Sequence, residues 1–291
     1  MISLAIALQA AAVPAAGPGS QDVPKRFSIL MPQPCASRDD PPQDEKAQAE
    51  SADIVVCADG KSSQSLPLPE EAGPPPGRGA NRELSAAKVL ALEAWARAEG
   101  RAFLRFDYGG CGQSEGTFEE QTLAGWRDDV LAMLDQVATG PVVLVGSSLG
   151  GWLMLLVAKL RAGQVVGLVG IAPAPDFTDW GFTTEEKMAI LTEGRLERAN
   201  PYGPAPTVYT RAFFQSGEAN RLMFGAIPFD GRVRLVQGQA DRDVPWHRTV
   251  RLGEMIRSAD VQTLLIKDGD HRLSRETDIA LIVRATEDVL R

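Results

Sequence analysis

Residues Gly146-Ser147-Ser148-Leu149-Gly150 set a serine between two glycines, at the junction of two strongly apolar runs. A serine hydroxyl becomes a nucleophile only when a base takes its proton. A G-x-S-x-G turn between a strand and a helix exposes that hydroxyl at the carboxyl end of a sheet and aims a helix N-terminus at it. The flanking glycines remove side chains that would clash in so sharp a turn. The same residues could merely join two elements, but the strand–turn–helix context favours nucleophilic chemistry at Ser148. The search for a base is short, because the chain contains 2 histidines. His271 stands in Lys267-Asp268-Gly269-Asp270-His271, just past the last expected strand. His247 opens a helix in Val244-Pro245-Trp246-His247 and reads as an exposed or packing residue. The chain order Ser…Asp…His selects His271.

An acid must hold the imidazole in one tautomer and stabilise its cation. Asp241 fills that role in Gly238-Gln239-Ala240-Asp241, after an expected strand at 233–237, with Asp243 as a solvated or helix-capping companion. A base accepts a proton only when neutral, so activity is expected to rise through a single ionisation near neutral pH. Charge developing on a substrate oxygen needs backbone donors. The N–H of Leu149 is one. The loop before the first main helix, near Gly79-Ala80-Asn81, is expected to give the second from Ala80.

Other chemistries find less support. Asp107-Tyr108-Gly109-Gly110-Cys111-Gly112-Gln113-Ser114 follows a strand like a dinucleotide loop, but Glu115 occupies the third glycine position, so no cofactor is expected. Cys111 in that loop reads as a packing residue. Cys35 and Cys57 could pair in an oxidising compartment or stay as free thiols. There is no HExxH, no Cys-x-x-Cys and no His pair, so no metal site is expected. The net charge of −8, with Lys and Arg scattered, argues against a nucleic-acid surface.

The elements that would position these residues begin near residue 80. Expected helices at 85–99, 122–138, 149–160 and 248–256, and one through Ile279, Ile282 and Val289, alternate with expected strands at 102–108, 141–146, 165–171, 233–237 and 261–266. Such alternation marks a mainly parallel sheet with helices on its faces, the α/β class. The stretch 173–230 interrupts it and reads as a lid-like insertion. Its aromatics (Phe177, Trp180, Phe182, Phe213, Phe214, Phe224, Phe229) fit either an apolar acyl group or ordinary packing. Residues 1–80 are rich in Pro, Gly, Ser and Gln, and most of them cannot bury enough apolar area to offset ordering entropy. Within them, 27–30 and 54–58 have strand character. The run from Met1 to Val13 is too short to span a bilayer. It resembles a signal-peptide core without the positive n-region. The expected location is cytoplasmic, or periplasmic if residues 1–16 act as a leader.

Several ordered motifs carry a resemblance. Arg105-Phe106-Asp107-Tyr108-x-Gly110-x-Gly112-x-Ser114-x-Gly116, Trp126-Arg127-x-Asp129, Val145-Gly146-Ser147-Ser148-Leu149-Gly150-Gly151-Trp152, Ala174-Pro175-Asp176-Phe177-Thr178, Val236-x-Gly238-x-x-Asp241-x-Asp243-Val244-Pro245-Trp246 and Asp270-His271-Arg272 resemble the α/β-hydrolase family of palmitoyl-protein thioesterases that also act as acyl-glucuronide esterases. The resemblance covers about residues 79–291. It implies an α/β-hydrolase fold, hydrolysis of ester or thioester acyl groups, a small-molecule or acyl-protein substrate, and Ser148, Asp241 and His271 on the family's triad. A peptidase or lipase of the same fold is the alternative within enzymes. A truncated, impaired hydrolase or a binding module is the alternative outside them. Upstream the chain departs from the family, because a proline-rich tract stands where a central strand belongs. Residues 54–57 are expected to fill that place beside 142–145, with 60–77 irregular.

Overall fold

The structure, a computed structural model, describes residues 3–8, 56–57, 82–138, 140–200 and 206–291. In chain order its elements are β1 (Ser3–Leu8), β2 (Val56–Cys57), α1 (Arg82–Ala98), β3 (Phe103–Leu104), α2 (Leu123–Gln136), β4 (Val142–Ser147), α3 (Leu149–Leu160) and β5 (Val165–Ile171). There follow α4 (Phe177–Trp180), α5 (Thr184–Glu193), β6 (Arg195–Arg198), β7 (Thr207–Thr210) and α6 (Arg211–Ala219). The chain closes with β8 (Arg232–Gly238), α7 (Trp246–Met255), β9 (Val261–Ile266) and α8 (Glu276–Val289).

Seven strands form one sheet in the order β2-β3-β1-β4-β5-β8-β9. β4, β5, β8 and β9 pair in parallel. Their apolar runs are continuous because both faces are covered. Val142 and Leu144 of β4 and Val233 and Leu235 of β8 pack with α2, α3 and α7 in one core. Val143 and Val145, with Val169, Ile171 and Val236, pack with α1 and α8 in the other. The two-residue period of a strand thus divides consecutive valines between two helical layers. Trp126 and Trp152 are fully buried in the first core. Each buried indole N–H finds a backbone carbonyl, Gly109 O at 3.0 Å and Asn220 O at 3.1 Å.

The neighbour of β4 differs from the expected one. Ser3–Leu8, inside the run that resembled a leader, takes that place and runs antiparallel to both β4 and β3. It matches β4 over its whole length, from Ser3↔Ser147 to Leu8↔Val142. An antiparallel strand satisfies the same backbone donors and acceptors as a parallel one, and it needs no crossover. Val56–Cys57 does join the sheet, but at its edge, antiparallel to β3 at Cys57↔Phe103. The irregular stretch expected at 60–77 lies outside the described residues, as does Cys35. The strand expected at 102–108 is reduced to Phe103–Leu104, because the chain then turns. Asp107 O accepts from Ser114 Oγ at 2.6 Å and its carboxylate accepts from Gln113 N at 2.9 Å.

The stretch 173–230 holds α4, α5, α6 and a two-stranded sheet of β6 and β7. Its own small core joins Phe182, Ile190 and Phe214 to Phe177, Leu196 and Tyr209. Phe213 and Phe229 reach the main core instead. Most of the insertion's aromatics are therefore packing residues. Phe224 is the exception at 75% exposed, with the Arg221 guanidinium 4.5 Å over its ring.

Candidate active site

Ser148 sits in the turn between β4 and α3 at φ 55° and ψ −121°, a conformation that side chains rarely adopt. The turn is held on three sides. Ser148 N donates to Ile171 O at 2.9 Å, and Ser148 O accepts from Gly151 N and Ala174 N, each at 2.9 Å. A side chain at position 146 would meet Gly150 O at 2.5 Å, so β4 can approach α3 this closely only through a glycine.

Asp241 lies past the end of β8 and His271 in the loop after β9. The two loops are joined, since Gln239 N donates to Ile266 O (2.8 Å) and Ala240 N to Gly269 O (3.0 Å). Gly238 makes that contact possible, because a Cβ there would lie 2.2 Å from Gly269 O.

His271 bridges the serine and the acid. Its Nδ1 lies 2.9 Å from Asp241 Oδ2 and its Nε2 lies 3.1 Å from Ser148 Oγ. An ionised carboxylate has no proton to give, so the proton of a neutral ring belongs on Nδ1 and the Nε2 lone pair faces the serine. The Asp241 side chain is wholly buried, that of His271 16% exposed. Burial pushes the Asp241 carboxyl up, but the hydrogen bond and charge of His271, with the N–H groups of Val244 and Asp243, hold it below the usual carboxylate range. Those N–H groups donate to Oδ1 at 2.9 and 2.8 Å. Of the other residues singled out in the sequence, Leu149 opens α3. As the first helical residue, it has an N–H that is one of those with no intrahelical carbonyl to bond. Ala80 lies outside the described residues. His247 is exposed on α7, on the rim of Trp246 and apart from the Ser148–His271–Asp241 contacts.

The family model described as alpha/beta hydrolase family matches residues 76–289. The chain belongs to the alpha/beta hydrolase family. Mitochondrial palmitoyl-protein thioesterase ABHD10 of Bos taurus is 38% identical over 216 residues, covering 71% of this chain and 69% of the relative. The solved structure of mouse alpha/beta hydrolase domain-containing protein 10 is 38% identical, with a TM-score of 0.65 over 70% of this hydrolase and 83% of that chain. A putative hydrolase from Agrobacterium vitis is 37% identical, with a TM-score of 0.68 over 73% and 85%.

Asp241, Asp243 and His271 of this hydrolase each offer one metal-ligand atom within 4.8 Å of the others. His271 Nδ1 and Asp241 Oδ2 are hydrogen-bonded to each other, so a cation taking those two atoms would have to displace the proton between them. Among the described residues no helix is long and apolar enough to cross a membrane.

The insertion springs from the elbow itself. Asp176, at φ 55°, accepts from Leu222 N (2.8 Å) and Met223 N (2.9 Å) and so ties the insertion's start to its end. Burial raises its carboxyl above the ordinary value, outweighing those two bonds and the charge of Arg221. Beside the site, the buried polar residues Lys88, Gln237 and Thr249 escaped sequence reasoning. Lys88 of α1 donates to Ser147 Oγ at 3.3 Å, next to the turn. Gln237 and Thr249, both fully buried, stand behind Asp241. Only a polar residue inside an apolar strand, as Gln237 is in Arg232–Gly238, could have signalled the pair.

Proposed function

We propose that this hydrolase cleaves carboxylic esters and thioesters through an acyl-enzyme on Ser148. The observation that carries the reading is the chain of contacts Ser148 Oγ–His271 Nε2 and His271 Nδ1–Asp241 Oδ2 at 3.1 and 2.9 Å. In the first half-reaction Nε2 takes the hydroxyl proton as Oγ attacks the acyl carbon, and Asp241 stabilises the imidazolium. The negative oxygen of the tetrahedral intermediate is held by Leu149 N–H, and the second donor expected at Ala80 lies outside the described residues. Collapse expels the alcohol or thiol, which takes the proton from His271. In the second half, His271 draws a proton from water as it attacks the acyl carbon, and Ser148 regains its proton as the acid leaves. The thioester reading is supported by the 38% identical bovine relative, a protein named palmitoyl-protein thioesterase. Either a small molecule or an acylated protein could present the acyl group.

Two measurements test this. A fluorophosphonate probe should label the wild type quickly and Ser148→Ala not at all, since only a base-activated serine reacts so. A panel of acyl thioesters, aryl esters and acyl glucuronides of graded chain length should be hydrolysed, thioesters best. Equal, slow labelling of both proteins would favour a non-catalytic binding module.

A further inference from the structure

Behind Asp241 lies a second buried hydrogen-bond chain that the triad itself does not require. Asp241 Oδ2, the oxygen that faces His271, also accepts from Gln237 Nε2 at 2.9 Å. Gln237 Oε1 in turn accepts from Thr249 Oγ1, on α7, at 2.7 Å. Gln237 and Thr249 are both at 0% exposure, so neither can exchange these partners for water. The remaining surroundings fix the amide's orientation. Nε2 also lies 3.1 Å from Gly238 O and 3.3 Å from Val244 O. A flipped amide would point its oxygen at one carboxylate and two carbonyls, and would turn its NH₂ toward the Thr249 hydroxyl.

We infer that Gln237, oriented by Thr249, is a positioning residue that sets how much of the Asp241 charge reaches His271. The inference rests on the triad reading of Ser148, His271 and Asp241. Oδ1 takes the N–H groups of Asp243 and Val244, and Oδ2 takes His271 and Gln237. All four acceptor directions of the carboxylate are filled, which leaves it one orientation. A donor on Oδ2 draws charge from the oxygen that stabilises the imidazolium. Without it, the imidazolium is held more strongly and the neutral, base-competent ring forms only at higher pH. Hydrogen bonds thus link α7 to Ser148 through four side chains: Thr249, Gln237, Asp241 and His271.

Other charges surround the site. Asp243 lies within 4.8 Å of the two triad groups, and its charge reaches Tyr209 of the insertion. The loop of His271 carries Asp268, Asp270, Arg272 and Arg275, and α7 carries Arg248. Neutral substitutions at 237 and 249 leave all of these charges in place, so a shift between variants reports the Thr249–Gln237 hydrogen bonds and not a change of charge.

The test uses the full chain. The ring resonances of the 2 histidines are followed by NMR against pH, with His247→Gln to assign His271. In Gln237→Leu, His271 should titrate at higher pH than in the wild type. Thr249→Val should move it the same way by less, and Thr249→Ser should restore the wild-type curve. Gln237→Leu with Thr249→Val should match Gln237→Leu alone, because Thr249 acts only through Gln237. In turnover, the acid limb of kcat/KM should move up in pH, giving about three- to tenfold less activity on that limb and a smaller loss on the plateau. Should Gln237→Leu fail to fold, the pair Thr249→Val and Thr249→Ser carries the test. An unmoved His271 titration in folded variants overturns the inference. The NMR titration needs no turnover, so it stays readable if fluorophosphonate labelling refutes the acyl-enzyme reading.

Discussion

Asp241 is ionised inside protein, and the donors around it decide what it can do. Its carboxyl is held below the ordinary range, so it remains an acceptor well into acid. Ser148→Ala and His271→Ala should each lower kcat by about 10⁵–10⁶-fold while the fold is kept, because the members act as a unit. His247→Ala should leave turnover at the wild-type level, and steady-state kinetics on any accepted ester would expose the reverse pattern. Asp241→Asn should cost on the order of 10³–10⁴-fold. Its stability effect has a definite sign. A carboxyl whose folded value is depressed stabilises the fold above its unfolded value and loses that contribution as pH falls through the folded one. The gap in denaturant midpoint between wild type and Asp241→Asn should therefore be full near neutrality and narrow below about pH 4. A gap that stays constant into acid would place the effect in packing instead. The three residues of the Ser148–His271–Asp241 contact chain were legible because chemistry and chain order restrict the choice, with two histidines to weigh. Gln237 and Thr249 were not, since a lone glutamine and threonine have many uses in a chain and only their burial behind Asp241 gives them one.

The elements around the site store strain to present it. Ser148 holds φ 55° because Ser148 N and O are tied to Ile171, Gly151 and Ala174. Such a backbone costs on the order of 1–3 kcal/mol for a residue with a Cβ. Ser148→Gly should thus be more stable than Ser148→Ala by about 1 kcal/mol, roughly 2–4 °C in Tm for a chain of this size, though both are inactive. Equal melting of the two variants would mean that the turn is not strained in solution. The strands and helices that frame this turn were legible from the sequence because their apolar runs are long. Leu149–Leu160, Val165–Ile171 and Val261–Ile266 have the bounds that their patterns predict. The β6–β7 pair was not legible. Arg195-Leu196-Glu197-Arg198 is largely polar and exposed, and only its pairing with Thr207–Thr210 makes it a strand.

At the scale of the whole molecule, the unusual feature is which segment completes the sheet. Two apolar pieces of the N-terminal region competed for the place beside β4. Sequence reasoning favoured 54–57 for its β-branched character and noted in the Ala-rich start only a resemblance to a signal-peptide core. Pairing length decides otherwise, since Ser3–Leu8 offers six residues to β4 and Val56–Cys57 offers two to the sheet. β1 also reaches Leu104 and Phe103 on its other side, so it bridges the two halves of the sheet. Its loss would leave the donors and acceptors of β4 and β3 without partners in a site that water cannot fully reach. Ala5, opposite Val145, is the place to test this with one residue. Proline there removes a backbone donor and fixes φ in the middle of the strand, costing about 3 kcal/mol. Ala5→Pro should lower Tm by roughly 6–12 °C. Deletion of residues 1–9 should abolish the cooperative melt altogether, and fluorophosphonate labelling of Ser148 with it, because β1 pairs along the strand that leads into the Ser148 turn. Unchanged melting and labelling in both variants would show that β4 finds another neighbour in solution and that the first residues are dispensable to the hydrolase.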